Sequence, residues 1–244
     1  MSGAVANGIP EPDGAGQAGA DGPGMRPPTR RYDYVTDGQE IYRRSFAMIR
    51  ERADLSGLPA DLEVVATRLI HAAGDTDIVS RIAASPDVVE AAREALAGGA
   101  PIFTDSVMLA SGITRRRLPG DNEIVCTLRD PRVPGLAAAW GTTRAAAAVS
   151  LWGPRLDGAV VAIGNAPTAL FHLLEVVLDG GPRPAAIVGM PVGFVGSAES
   201  KEALAGHRLA DGSQVPWITV HGHRGGSAMA ASTVNALATA SELA

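Results

Sequence analysis

Arg68 and His71 lie three residues apart in RLIHAAGDTD (68–77), a separation that makes them neighbours on the surface of a helix. Histidine has the unperturbed pKa nearest neutrality, so His71 can give up and recover a proton, while the fixed charge of Arg68 can clamp an anion beside it. A surface arginine and a histidine set against the negative end of a helix dipole would look the same. Further cations stand at Arg115, Arg116 and Arg117, at Arg144 after Thr143, and at His223 and Arg224 within HGHRGGS. Three adjacent arginines read as a solvated turn, and Arg144 fits either a structural ion pair or a carboxylate partner. His221 and His223 could share a metal, but no acidic or Cys partner stands near them, and no metal site is expected.

These groups need elements to hold them. The run from Gly158 to Leu178 reads as a strand, a turn and a helix. Val160, Val161 and Ile163 form the β-branched strand, Gly164 and Asn165 end it, and Pro167 opens a helix with Leu170, Leu173, Leu174 and Val177 on one side. Its N-terminus, near Thr168, is the expected place for an anionic ligand at the strand's carboxyl end. Upstream, 38–53 is helical with Ile41, Phe46, Ile49 and Ala53 inward, and a second helix opens at Pro59 and Asp61 and stops at Gly74. Ser85 is read as the cap of a third, with Pro86 in its first turn. A strand at 101–104 then leads to a helix opening at Asp105 or Ser106.

Residues 122–128 are strand-like and 134–149 form one Ala-rich helical stretch. Two further strand–loop–helix units follow. In 184–204, Gly189, Gly193 and Gly196 let the backbone approach a ligand, Phe194 can cover a flat ring, and Glu199 and Lys201 suit helix-end salt bridges. In 215–238, Gly225 and Gly226 precede a helix starting near Ser227. The predicted fold is a single three-layer α/β domain, 31–244, with a mainly parallel sheet, helices on both faces and loops gathered at its carboxyl edge. Residues 1–30, rich in Gly, Pro and Ala, are expected to form a disordered tail.

The 244 residues carry a net charge of −5 and 46% hydrophobic content, which suits a soluble globular protein and gives no support to a nucleic-acid surface. No apolar run is long enough to suggest a membrane span. A lone Cys126 excludes an internal disulfide and fits the cytoplasm, as a core residue. There is no P-loop, no G-x-G-x-x-G after a strand and no nucleophile elbow.

Several segments together resemble one family. IGNAPTALF after GAVVA, RLIHAAGDTD, TDSVMLASGITRRRL, GTTRAAAA, the stretch from Gly189 to Lys201, and GHRGGS resemble, in matching order from about Tyr32 to Leu237, the precorrin-8X methylmutases and cobalt-precorrin-8 methylmutases of cobalamin biosynthesis. The R-x-I-H-A-x-G-x-x-D pattern implies that His71 is the catalytic proton donor, with Asp77 in the motif's aspartate place and Asp75 beside it. By the same resemblance Asp105, Ser106 and Arg115 lie near the tetrapyrrole, and Thr143 and Arg144 match a T-R-x-A-A motif. Where the family has G-R-K-G-G-S, this chain has His223 and Arg224, so one positive charge depends on pH.

The implied substrate site is thus Arg68, Asp105, Ser106, Arg115, Thr143, Arg144, Gly164, Asn165, Thr168, Gly193, Phe194, His223, Arg224, Gly225, Gly226 and Ser227. The implied activity is migration of a methyl group from C-11 to C-12 of precorrin-8X, giving hydrogenobyrinate, with no cofactor. A homodimer and handover to the next pathway enzyme are implied as well. A corrinoid-binding protein without turnover, or the cobalt-precorrin-8 reaction giving cobyrinate, are the alternatives.

Overall fold

Six short strands make one sheet: β1 (Ile82–Ala84), β2 (Ile102–Thr104), β3 (Ile124–Val125), β4 (Val160–Ile163), β5 (Ala186–Gly189) and β6 (Trp217–Val220). Their order across the sheet is β1-β6-β5-β4-β2-β3. The computed structural model describes residues 27–239, so most of the expected tail at 1–30, and the last residues of the expected domain, lie outside the described residues. Residues 27–36 belong to a contact unit distinct from the one starting at Asp37 and hold no regular element.

All neighbouring strands run parallel except β1, which pairs antiparallel with β6, Ile82 lying opposite Val220. Every residue of β4, β5 and β6 is buried, as a sheet covered on both faces requires. Alternation along β4 separates two cores: Val160 and Ala162 face one, Val161 and Ile163 the other. The first core is closed by α1 (Gly38–Arg52), α2 (Ala60–Ala73), α3 (Val88–Ala97), α4 (Val107–Gly112) and α9 (Ser227–Leu237). The second is closed by α6 (Arg144–Ser150), α7 (Pro167–Leu178) and α8 (Ser197–Gly206), while α5 (Val133–Trp140) packs on α6. The result is the three-layer α/β architecture read from the sequence.

Local departures have simple causes. The Ala-rich stretch is two helices, because Gly141 takes a left-handed φ of 60° and the Thr143 hydroxyl then caps α6 by accepting from the Ala146 N–H at 3.2 Å. Ser85 does not cap α3. It continues the β1–β6 ladder, donating its N–H to Trp217 O at 2.8 Å and accepting the Trp217 N–H on its hydroxyl at 2.9 Å, so its oxygen is already engaged. The 122–128 strand contracts to β3 because Asn122 turns its amide to the carbonyls of Leu96 and Ala100, at 2.9 and 2.8 Å. Ile41, expected inward, is 46% exposed, and Cys126 is only half-buried. Among the described residues no helix is long and apolar enough to cross a membrane.

Candidate active site

His71 sits in the last turn of α2, which Gly74 closes at a left-handed φ of 65°, its N–H reaching Ile70 O at 2.9 Å. Its Nδ1 lies 2.7 Å from the Ser45 hydroxyl on α1, and the rings of Tyr42 and Phe46 stand 5.1 and 5.4 Å from the imidazole. The Ser45 hydroxyl can donate to Nδ1 of the neutral ring and accept from Nδ1–H of the imidazolium, so it orients both protonation states. With Nδ1 engaged by Ser45, Nε2 is the ring nitrogen that could exchange a proton. Burial, and after it the charge of Arg68, lowers the His71 pKa below the ordinary 6.5. Arg68 is itself buried at 6% exposure, and its carbonyl accepts from the Ser232 hydroxyl of α9.

A cleft of about 360 Å³ opens at this point, lined by Tyr42, Arg68, His71, Thr114, Arg116, Arg117, Ser232 and Asn235 together with small residues of α2, α4 and α9. Its lining contains no carboxylate. Asn235 fixes one wall, accepting from the Thr114 N–H at 2.8 Å and donating to Gly112 O at 3.0 Å. The 3-10 turn Arg115–Arg117 that follows brings Arg116 and Arg117 to the cleft, whereas Arg115, the arginine chosen from the sequence, is exposed and does not line it. Arg117 Nη1 is buried with no hydrogen-bond partner among the described residues, and burial lowers its pKa.

At the carboxyl ends of β2 and β4 the structure corrects a second expectation. The Asp105 carboxylate, 4% exposed, accepts the N–H groups of Gly164, Asn165 and Ala166 at 3.0, 2.8 and 2.7 Å. Pro167 has no N–H to add. The anion expected at this turn is therefore supplied by the protein, and Asp105 holds the turn instead of facing a cleft. Burial pushes its carboxyl pKa up while those three donors act against the shift.

Ser106 caps α4 through the Leu109 N–H and lies 3.1 Å from the Ser227 hydroxyl, which joins the starts of α4 and α9. A Cβ on Gly164 would come within 2.9 Å of Ser227 Cα, so only glycine fits there. Thr143 and Thr168 meet at 2.7 Å where α6 and α7 begin. With Arg144 and Asn165 they form an exposed group that does not line the His71 cleft.

A second cleft, of about 630 Å³, is lined by Ala73, Asp75, Ile78, Arg81, Val192, Phe194, His223, Arg224, Gly225 and Met229. Ala72 and Ala228 line the first cleft and their neighbours Ala73 and Met229 the second, so α2 and α9 form a wall common to both. Arg224 forms an ion pair with Asp75, which also accepts the Asp77 N–H at 2.9 Å. Phe194 is 87% exposed with its ring 5.4 Å from that of His223. Gly193 N–H donates to His223 O at 3.2 Å, and Gly226 N–H to Met190 O at 2.9 Å, stitching the two loops together. A Cβ on Gly225 would approach Met190 O to 2.3 Å. Lys201, expected in a helix-end salt bridge, is wholly buried beneath these loops.

A family model described as precorrin-8X methylmutase matches residues 40–240. The chain belongs to the precorrin-8X methylmutase family. The precorrin-8X methylmutase of Sinorhizobium sp is 56% identical over 207 residues, covering 85% of this chain and 97% of the relative. That of Pseudomonas aeruginosa is 56% identical over 210 residues, 86% of this chain and 99% of the relative. The cobalt-precorrin-8 methylmutase of Salmonella typhimurium is 38% identical over 213 residues, 84% of this chain and 96% of the relative. A crystal structure of the precorrin-8X methylmutase from Thermus thermophilus superposes with a TM-score of 0.73 at 38% identity, covering 82% of this chain and 95% of that one. The protein is an isomerase of cobalamin biosynthesis.

Tyr42, Ser45, Thr114, Arg116, Arg117, Ser232 and Asn235 were not chosen from the sequence as site residues; all but Ser45 line the cleft, and Ser45 holds His71 beside it. Tyr42, Ser45 and Phe46 recur at helical spacing beside an inward stripe, which is the signal that could have found the first two.

Proposed function

We propose that the protein moves the methyl group at C-11 of metal-free precorrin-8X to C-12, giving hydrogenobyrinate by an acid-assisted 1,5-sigmatropic shift. The observation that carries this reading is His71, held on Nδ1 by Ser45, in a cleft that also presents Arg68, Arg116 and Arg117 and no carboxylate. In a chain of net charge −5, such a local excess of cations suits a polycarboxylate. The rearrangement is intramolecular and needs only a held substrate and a proton at the right nitrogen. His71 Nε2 gives that proton to the ring C nitrogen, which makes the macrocycle electron-poor and lowers the barrier to migration. The proton returns as the product conjugation forms.

The arginines fix the acetate and propionate arms, and orientation supplies much of the remaining acceleration. Arg224 and His223 of the second cleft receive other arms of the same molecule, across the α2–α9 wall. The metal-free substrate is favoured because the precorrin-8X methylmutases are 56% identical to this chain and the cobalt-precorrin-8 methylmutase of Salmonella typhimurium 38%.

The deciding experiment is an anaerobic incubation with precorrin-8X and, separately, its cobalt form, with the visible spectrum followed through many turnovers. Conversion of the metal-free form beyond one equivalent is expected. A change that stops at one equivalent would make the protein a corrinoid carrier, and preference for the cobalt form would move it to the other branch of the pathway.

The lowered pKa of His71 gives a pH signature. The acid must be protonated, so kcat/KM, which reports the free enzyme, falls as pH rises through a value below 6.5. Bound carboxylates stabilise the imidazolium, so the kcat profile is displaced to higher pH. Coincident profiles would separate His71 from the proton transfer.

The working form is a cytoplasmic homodimer that hands its product to the next enzyme. Support for the dimer comes from the adjacent Phe194 and Val195, which are 87% and 89% exposed and would be covered by a second copy. Analytical ultracentrifugation showing a fully active monomer would overturn it.

A further inference from the structure

Lys201 lies on α8, outside both clefts, with no exposed surface. Its Nζ donates to the carbonyl of Gly222 at 2.8 Å and to that of Arg224. No carboxylate among the described residues forms a salt bridge with it, and burial alone pulls its pKa from 10.5 down to about 8. Burying an unpaired ammonium is costly, and an apolar side chain would fill the same space at less cost. The ammonium can do one thing that leucine or methionine could not. It draws the carbonyls of two alternate residues to a single point inside the protein.

That convergence shapes the turn above it. With the carbonyls of Gly222 and Arg224 aimed inward, and that of His223 taken by the Gly193 N–H, the main-chain acceptors of the turn are engaged, while the side chains of His223 and Arg224 stay exposed at the second cleft. Gly222, at a φ of 84°, allows the chain to enter this path.

We propose that Lys201 is a positioning residue for tetrapyrrole binding: from beneath the second cleft it fixes the 222–224 turn, and so the placement of the Arg224 guanidinium that receives a substrate carboxylate. The role rests on the methylmutase reading above. Lys201 itself touches no substrate and acts through Arg224.

The test compares Lys201→Met, Lys201→Arg, Arg224→Ala and the Lys201→Met/Arg224→Ala double variant as full-length proteins, each first checked for folding by its thermal transition. With precorrin-8X as substrate, Lys201→Met is expected to raise KM about tenfold and to change kcat by less than about twofold, the pattern of lost uniform binding. Lys201→Arg, which keeps charge and donors, should recover part of the loss. In the Arg224→Ala background the Lys201→Met change should add less than about twofold, because the two act on one contact. If Lys201→Met does not fold, Lys201→Arg, Arg224→Ala and the Lys201→Arg/Arg224→Ala double variant supply the same cycle on the smaller loss.

An unchanged KM, a loss confined to kcat, or effects that multiply in the double variant would overturn the role and leave the methylmutase reading intact. A wild-type protein that does not turn over precorrin-8X would overturn both.

Discussion

The His71→Ala protein is expected to bind precorrin-8X with near wild-type affinity and to rearrange it about a hundred- to ten-thousandfold more slowly. Affinity should survive because the cations of the cleft, Arg68, Arg116 and Arg117, are untouched by the substitution. Rate should not, because no second imidazole and no carboxylic acid line the cleft: the remaining polar lining residues are Tyr42, Thr114, Ser232 and Asn235. Single-turnover spectra of the variant with excess enzyme separate the two quantities. Rearrangement at the wild-type rate would remove His71 from the mechanism.

Asp105→Ala is expected to destabilise the fold by about 3–5 kcal/mol, since it strands the N–H groups of Gly164, Asn165 and Ala166 that now share one carboxylate. The turn they form connects β4 to α7, at the centre of the sheet and beneath Ser227. Asp105→Asn should recover little, because an amide turns at least one donor towards those donors. Urea unfolding midpoints measure the loss. A variant of unchanged stability whose KM alone has risen would instead return Asp105 to the substrate contacts that its motif implies.

What the sequence could and could not convey follows from the range of each interaction. The β4–turn–α7 unit was legible because a β-branched run, a Gly-Asn break and Pro167 act on their own segment, and α2 with Arg68 and His71 because neighbours on one helix are fixed by its period. The two halves of 134–149 were hidden because helical alanines outweigh one Gly141 in any average over the window. That Arg116 and Arg117 line the His71 cleft and Arg115 does not was not legible, because adjacent residues in a 3-10 turn point in widely different directions, which spacing alone does not order. Ser45 reaches His71 from another helix, Asp105 reaches residues at 164–166, and Lys201 reaches residues at 222 and 224. Such long-range partners leave no local pattern. Lysine is moreover so seldom buried that a solvated role was the natural reading.

The two margins of the sheet are short strands, Ile82–Ala84 at one side and Ile124–Val125 at the other. A margin of two or three residues offers few open backbone groups to a passing chain, and reversal of β1 breaks the parallel run at the point where another strand could join. The wholly buried four-residue strands β4, β5 and β6 are thereby kept to interior positions. Arg81 and Glu123, charged residues at the starts of these two margins, add a further bar to templated pairing.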